Sequence, residues 1–203
     1  MSTAEEISAH SDRPDRSPTH QSEQPARFGS TARILHWAMA VSIVAMLFLG
    51  ALLVGSLGNY DRVLVLHQTV GVIVVVLAVV RIGNRLRAAP PPQLPSIGRP
   101  ERLVAGVSEA LMYVLFVAQP LVGWALASAS GIPIRLVGGI LLPALVPENA
   151  PLYHLLREVH TVLAYALLVV FTAHMCAVLA HTLVLRDRLL SRMTFQLRRG
   201  GPD

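Results

Sequence analysis

Five of the eight histidines in this chain lie in stretches without a charged side chain: His36, His67, His160, His174 and His181. Imidazole can ligate a metal, carry a proton or hydrogen-bond across a helix interface. One spacing narrows the choice. His160 and His174 stand fourteen residues apart in the same apolar stretch. On a helix, fourteen residues rise about 21 Å and complete almost four turns, so both rings share one face at two depths. Stacked side chains of this type suggest two metal centres, each needing a partner at its own level.

The elements that must carry these rings are legible from charge. No charged residue occurs between Arg33 and Asp61, Arg62 and Arg81, Glu109 and Arg135, or Glu158 and Arg186, giving uncharged runs of 27, 18, 25 and 27 residues. A hydrocarbon core of about 30 Å takes roughly 20 helical residues, so each run can cross it. With 53% hydrophobic residues, the chain reads as an all-α integral membrane protein, a four-helix transmembrane bundle. The expected spans are about 33–57, 63–82, 104–129 and 157–185.

The net charge of +5 would suggest nucleic acid in a soluble protein, but its placement reports topology. All seventeen basic residues are arginine, and fourteen lie in the tails or between spans two and three, against Arg62, Arg135 and Arg157 on the other side. The positive-inside rule then puts both termini in the cytoplasm of a bacterial inner membrane and predicts no nucleic-acid partner. One cysteine excludes an internal disulfide and a cysteine-ligated zinc or iron–sulfur site, and no C-x-x-C-H motif is present for covalent haem attachment. Cys176, in mid-span, is expected to pack as a small hydrophobe.

Residues 1–29 are polar, lack the layout of a signal peptide and read as a disordered cytoplasmic tail holding His10 and His20. Residues 30–195 form the expected membrane domain and 196–203 a second cytoplasmic tail. Ser30 or Thr31 can cap a helix beginning near Ala32. Pro120 should kink span three. The apolar segment 128–157, broken by prolines and glycines, is expected to lie along the outer membrane surface, with His154 at the surface.

Orientation assigns depth. Span one runs outward, so His36 is near the cytoplasmic face; spans two and four run inward, so His67 and His160 are outer and His174 inner. Depth pairs His67 with His160 and His36 with His174. Iron in a porphyrin has two axial positions that imidazole fills well, and filling both leaves no dioxygen site. The pattern therefore points to two haem b groups enclosed by the bundle and to electron transfer. Gly50 and Gly71 fall on the faces of His36 and His67, where they could admit a flat ring or serve ordinary close packing. Arg81, fourteen residues beyond His67, and Arg85, one turn further, are candidate propionate contacts; Arg81 could equally mark the membrane boundary. His181, seven residues past His174, is a candidate quinone or proton residue, or simply an interfacial polar group. A transporter with a histidine relay is the rival from another class, but it has no need of paired depths.

The segments RILHWAMA, LHQTVGV followed by RIGNRLR, LFVAQPLVGW, EVH with thirteen residues before the next histidine, and LLSRM resemble the bacterial cytochrome b561 family over roughly residues 28–195. That family shares its four-helix, two-haem fold with the cytochrome b subunits of nickel–iron hydrogenases. The resemblance implies that His36, His67, His160 and His174 are axial ligands and that the chain exchanges electrons with membrane quinone, ubiquinone or menaquinone. In some members it extends to superoxide:quinone oxidoreductase activity. An electron-conducting anchor for a dehydrogenase or another periplasmic redox protein is the alternative. Superoxide is an anion, whereas the outer Arg62, Arg135 and Arg157 are balanced by Asp61, Glu148 and Glu158. The oligomeric state is not legible.

Overall fold

The computed structural model describes residues 28–55, 58–88 and 98–184; the expected tails, most of the proline-rich connector after span two and the arginines beyond residue 184 lie outside them. Four long helices run α1 Ser30–Gly55, α2 Tyr60–Arg87, α3 Arg99–Ala129 and α4 Ala150–Leu179, and the last described turn, Ala180–Val184, is wound as a π-helix. Each is long and apolar enough to cross a membrane. In hydrocarbon the backbone must satisfy its own hydrogen bonds, which a helix does. Polar side chains within the spans bond back to their own helices: Ser42 Oγ donates to the Ala38 carbonyl and Thr69 Oγ1 to that of Val65. Val41, Phe48, Val76, Val79, Val162, Tyr165 and Val169 stand exposed around the bundle, as a lipid-facing surface requires.

The helices outrun the uncharged windows because a helix does not end where hydrocarbon does. α1 starts at Ser30, two residues before the expected Ala32. α3 continues through Pro120 without a break. α4 begins at Ala150, seven residues before the expected span, because Asn149 accepts a hydrogen bond from the Leu152 N–H (2.8 Å) and Pro151 occupies the first turn.

α1 packs along α2 and α3 along α4, while α2 and α3 join the two pairs; the α4 backbone makes no comparable approach to α1 or α2. The core sits at mid-height: Met39 and Ile43 of α1, Val74 and Ala78 of α2, Leu115 and Phe116 of α3, and Leu167 of α4. Leu167 is seven residues from both His160 and His174, so this layer separates two histidine levels.

The segment after α3, expected along the membrane surface, contains a hairpin that the sequence did not announce. Ile134–Arg135 (β1) and Leu141–Leu142 (β2) pair antiparallel through a turn in which Gly138 and Gly139 take positive φ (85° and 78°). A side chain would strain that backbone. The hairpin folds onto α2: Ile134 is buried, and the Val137 N–H donates to Thr69 Oγ1 at 3.0 Å, about three turns into the helix. The segment is also tied to the end of α3, where Trp124 Nε1 donates to the Pro143 carbonyl (2.9 Å) and Ser128 Oγ accepts from the Leu145 N–H (3.0 Å). These bonds give partners to some of the polar backbone groups of an apolar, glycine-rich segment set against a helix. The bundle thus has a hairpin end and an opposite, terminal end. Cys176, expected to pack as a small hydrophobe, is exposed on α4.

Candidate haem-binding levels

At the hairpin end, α2 contributes His67 and α4 contributes His160, with ring centroids 6.3 Å apart and planes at 71°. α1 and α3 supply space. A Cβ built on Gly50 would meet His67 Cε1 at 3.9 Å, an ordinary contact, while one on Gly123 would meet His160 Cε1 at 2.9 Å, closer than a real side chain allows. Gly71, expected beside this level, is buried against Met46 Cε (3.7 Å). Gln119, one turn before Gly123 on α3, is buried at 8% exposure. Its Nε2 lies 3.2 Å from the His160 carbonyl and 3.3 Å from His160 Nε2. His67 Nδ1, His160 Nδ1 and Gln119 Oε1 are buried without a partner.

At the terminal end, His36 of α1 and His174 of α4 lie within electrostatic reach of each other, and Arg81 of α2 acts on both. Arg81 Nε donates to the Tyr113 hydroxyl of α3 (2.9 Å), and its guanidinium carbon stands 5.7 Å from that ring's centre. Arg81 Nη1 is buried without a partner. Arg85 forms an ion pair with Glu109 (2.8 Å), so an added anion would compete with a carboxylate for it. These two residues, with Gly106, Ala110 and Tyr113, line a cleft of about 200 Å³. His181, in the π-helical turn beyond α4, is half-buried and does not line it. His154 is exposed and packs edge-on against Tyr153.

His67 and His160 thus stand ring to ring at one end, and His36 and His174 lie within electrostatic reach at the other. Gln119, Gly123, Tyr113 and Glu109 are the neighbours that spacing alone did not single out. Gln119 could have been found as the one carboxamide in its uncharged run, a side chain that is costly in a membrane.

Whether these residues suit haem can be tested on their chemistry. Among the described residues no group of three or more His, Cys, Asp or Glu converges as a metal site. A bare ion usually needs four or more ligands, whereas porphyrin supplies four itself and asks the protein for two. A Gly123 that admits His160, an unsatisfied Arg81 N–H suited to a carboxylate, and an α4 backbone held off α1 and α2 all fit a flat, anionic-edged macrocycle.

Comparison with known proteins agrees. A sequence model of the prokaryotic cytochrome b561 family matches residues 27–196. The chain is 28% identical to cytochrome b561 homolog 2 of Escherichia coli K12 over 173 residues, 83% of this chain and 92% of that protein. It is 29% identical to cytochrome b561 homolog 1 of the same organism over 171 residues, 82% and 96% of the two chains. A probable superoxide oxidase of Yersinia pestis is 30% identical over 131 residues, 63% of this chain and 72% of the relative. The helices, the paired histidines and the extent of these matches agree, and the chain belongs to the prokaryotic cytochrome b561 family of multi-pass membrane proteins that carry b-type haem.

Proposed function

We propose that the chain is a bacterial inner-membrane di-haem cytochrome b that passes electrons between a donor at the hairpin end and the quinone pool. His67 and His160 would hold one haem and His36 and His174 the other, within a membrane domain spanning residues 30–195. The observation that carries this reading is the gathering of four histidines from three helices into two pairs on either side of one apolar layer. The arginine bias supports a cytoplasmic terminal end and a periplasmic hairpin end.

Bound haem supplies one-electron chemistry at iron. The chain's own residues do the rest. Four imidazoles ligate, Arg81 offers its free N–H to a propionate, and Gly123 leaves room for the His160 ring. Lipid-facing side chains and the hairpin on α2 exclude water. The cleft beside Arg85, Glu109 and Tyr113 is the candidate quinone headgroup site, with Glu109 able to hold a proton; His181 is the second candidate proton carrier.

Superoxide as the donor is a second reading, favoured by the name of the Yersinia relative. Against it, the formal charges at the hairpin end sum to zero, so no net field gathers an anion there. The alternative donor is a periplasmic redox protein or a dehydrogenase that the chain anchors.

Purified protein should show the reduced-minus-oxidised bands of low-spin b haem with two haems per chain. Colourless, folded protein would sink the reading. In vesicles containing quinone, superoxide should drive quinone reduction above the uncatalysed rate if it is the donor; a background rate leaves the protein-partner reading.

A further inference from the structure

The buried amide of Gln119 has no part in the ligand set, yet it makes two polar contacts to His160. Its Nε2 donates to the His160 backbone carbonyl (3.2 Å), which fixes which end of the amide is nitrogen. The same nitrogen lies 3.3 Å from His160 Nε2, and the two can hydrogen-bond only if that ring nitrogen carries no proton and accepts. The proton of a neutral His160 is then on Nδ1. Iron on His160 would take that Nε2 lone pair in place of the amide N–H, and the ring would then need an acceptor for its remaining Nδ1–H.

Two buried polar atoms at this spot are unsatisfied, His160 Nδ1 and Gln119 Oε1. One is a donor in search of an acceptor and the other an acceptor in search of a donor, on residues already touching. Buried polar groups are rarely left unpaired. Gly123, one turn along α3, leaves open the Cε1–Nδ1 edge of the ring, where a Cβ would come within 2.9 Å of Cε1 and 3.3 Å of Nδ1. We propose that Gln119 is the positioning residue of His160: anchored on the His160 carbonyl, its amide orients the imidazole and presents Oε1 as the acceptor for Nδ1–H. This rests on the reading that His160 is an axial ligand. Hydrogen bonding at Nδ1 makes the imidazole a stronger donor to iron, which favours the oxidised state.

The test uses the full, haem-loaded chain and the variants H160L, Q119L and Q119E. Haem content, the midpoint of each haem and the low-spin electron paramagnetic resonance spectrum are the readouts. H160L should lose one of two haems and identify the one concerned; two retained haems would overturn the ligand reading itself. Q119L should raise that haem's midpoint, widen its g spread and weaken its retention by about 10-fold. Q119E, which keeps the acceptor and strengthens it, should lower the same midpoint and narrow the g spread, leaving the other haem unmoved in both variants. A role in packing alone predicts no opposition of sign. If Nδ1–H is satisfied by its own helix, both variants keep native g values, and the proposal falls while the ligand reading stands. Should Q119L fail to accumulate, the isosteric Q119E decides: a narrowed g spread supports the proposal and an unchanged one overturns it.

Discussion

The two histidine levels are built from the same side chain and surrounded by opposite chemistry. At the hairpin end the neighbours of His67 and His160 are neutral: a glutamine amide, two glycines and a hairpin laid on α2. At the terminal end His36 and His174 face Arg81, with Tyr113, Arg85 and Glu109 close by. A neutral shell shapes a centre through hydrogen bonds and packing, which act over a few ångströms. A charged shell acts through Coulomb energy, which reaches further and is strengthened where water is excluded. The levels should therefore respond to different classes of substitution, and the largest test is whether they are separable at all. Leucine at His67 or His160 should remove one haem and leave the other, and leucine at His36 or His174 should do the converse, so each variant keeps one haem of two by pyridine haemochrome assay. If His67→Leu and His174→Leu removed the same haem, the division into levels would be wrong.

Packing gives the next largest effect, confined to the neutral level. Gly123→Ala would put a methyl group 2.9 Å from His160 Cε1, whereas Gly50→Ala would meet His67 Cε1 at an ordinary 3.9 Å. Forcing one methyl group into a filled site typically costs about 1–3 kcal/mol. Gly123→Ala should release the hairpin-end haem about ten times more readily, measured by transfer to apomyoglobin, while Gly50→Ala stays near the native rate. Equal behaviour of the two would mean that the close approach at Gly123 relaxes in the loaded protein.

These two predictions draw unequally on the sequence. The spans and the four histidines were legible because missing charge marks hydrocarbon and a fixed helical rise converts residue number into depth. The partners on α3 were not. Gln119 and Gly123 become neighbours of His160, and Tyr113 of Arg81, only through the rotation of α3 about its axis, which helix packing decides. The hairpin escaped for a different reason: Ile134–Leu142 reads as an apolar, glycine-rich stretch either way, and its pairing depends on Thr69 of another helix offering an oxygen. Cys176 shows the same limit from the other side, since apolar surroundings in a sequence do not distinguish the inside of a bundle from lipid. Arg81 and Arg85 were readable as cations at one level, but only the structure separates the first, bound to Tyr113, from the second, bound to Glu109.

That separation gives the charged level its own test. Arg81→Gln removes a buried cation beside His36 and His174 and should lower the midpoint of the terminal-end haem, because a nearby positive charge favours the reduced form. Tyr113 loses its partner in the same variant, and a hydrogen bond to a charged group is worth about 1.5–3 kcal/mol. Redox titration should find the hairpin-end haem unmoved, since the levels are fourteen residues, about 21 Å, apart along α4. A larger shift at the hairpin-end haem would erase the contrast between the shells.

The smallest effect is expected one turn further on. The Arg85 and Glu109 side chains are 43% and 35% exposed, although their contact is short at 2.8 Å. Pairs so open to their surroundings are screened and give up side-chain freedom to meet, so they stabilise by at most about 1 kcal/mol. Thermal unfolding of Arg85→Gln, Glu109→Gln and the double variant should return a coupling energy within that bound, with the terminal-end haem moving less than in Arg81→Gln. A coupling of about 3 kcal/mol or more would belong to a desolvated pair. Arg85 and Arg81 would then act as one buried charge cluster, and the charged shell would extend to the end of α2.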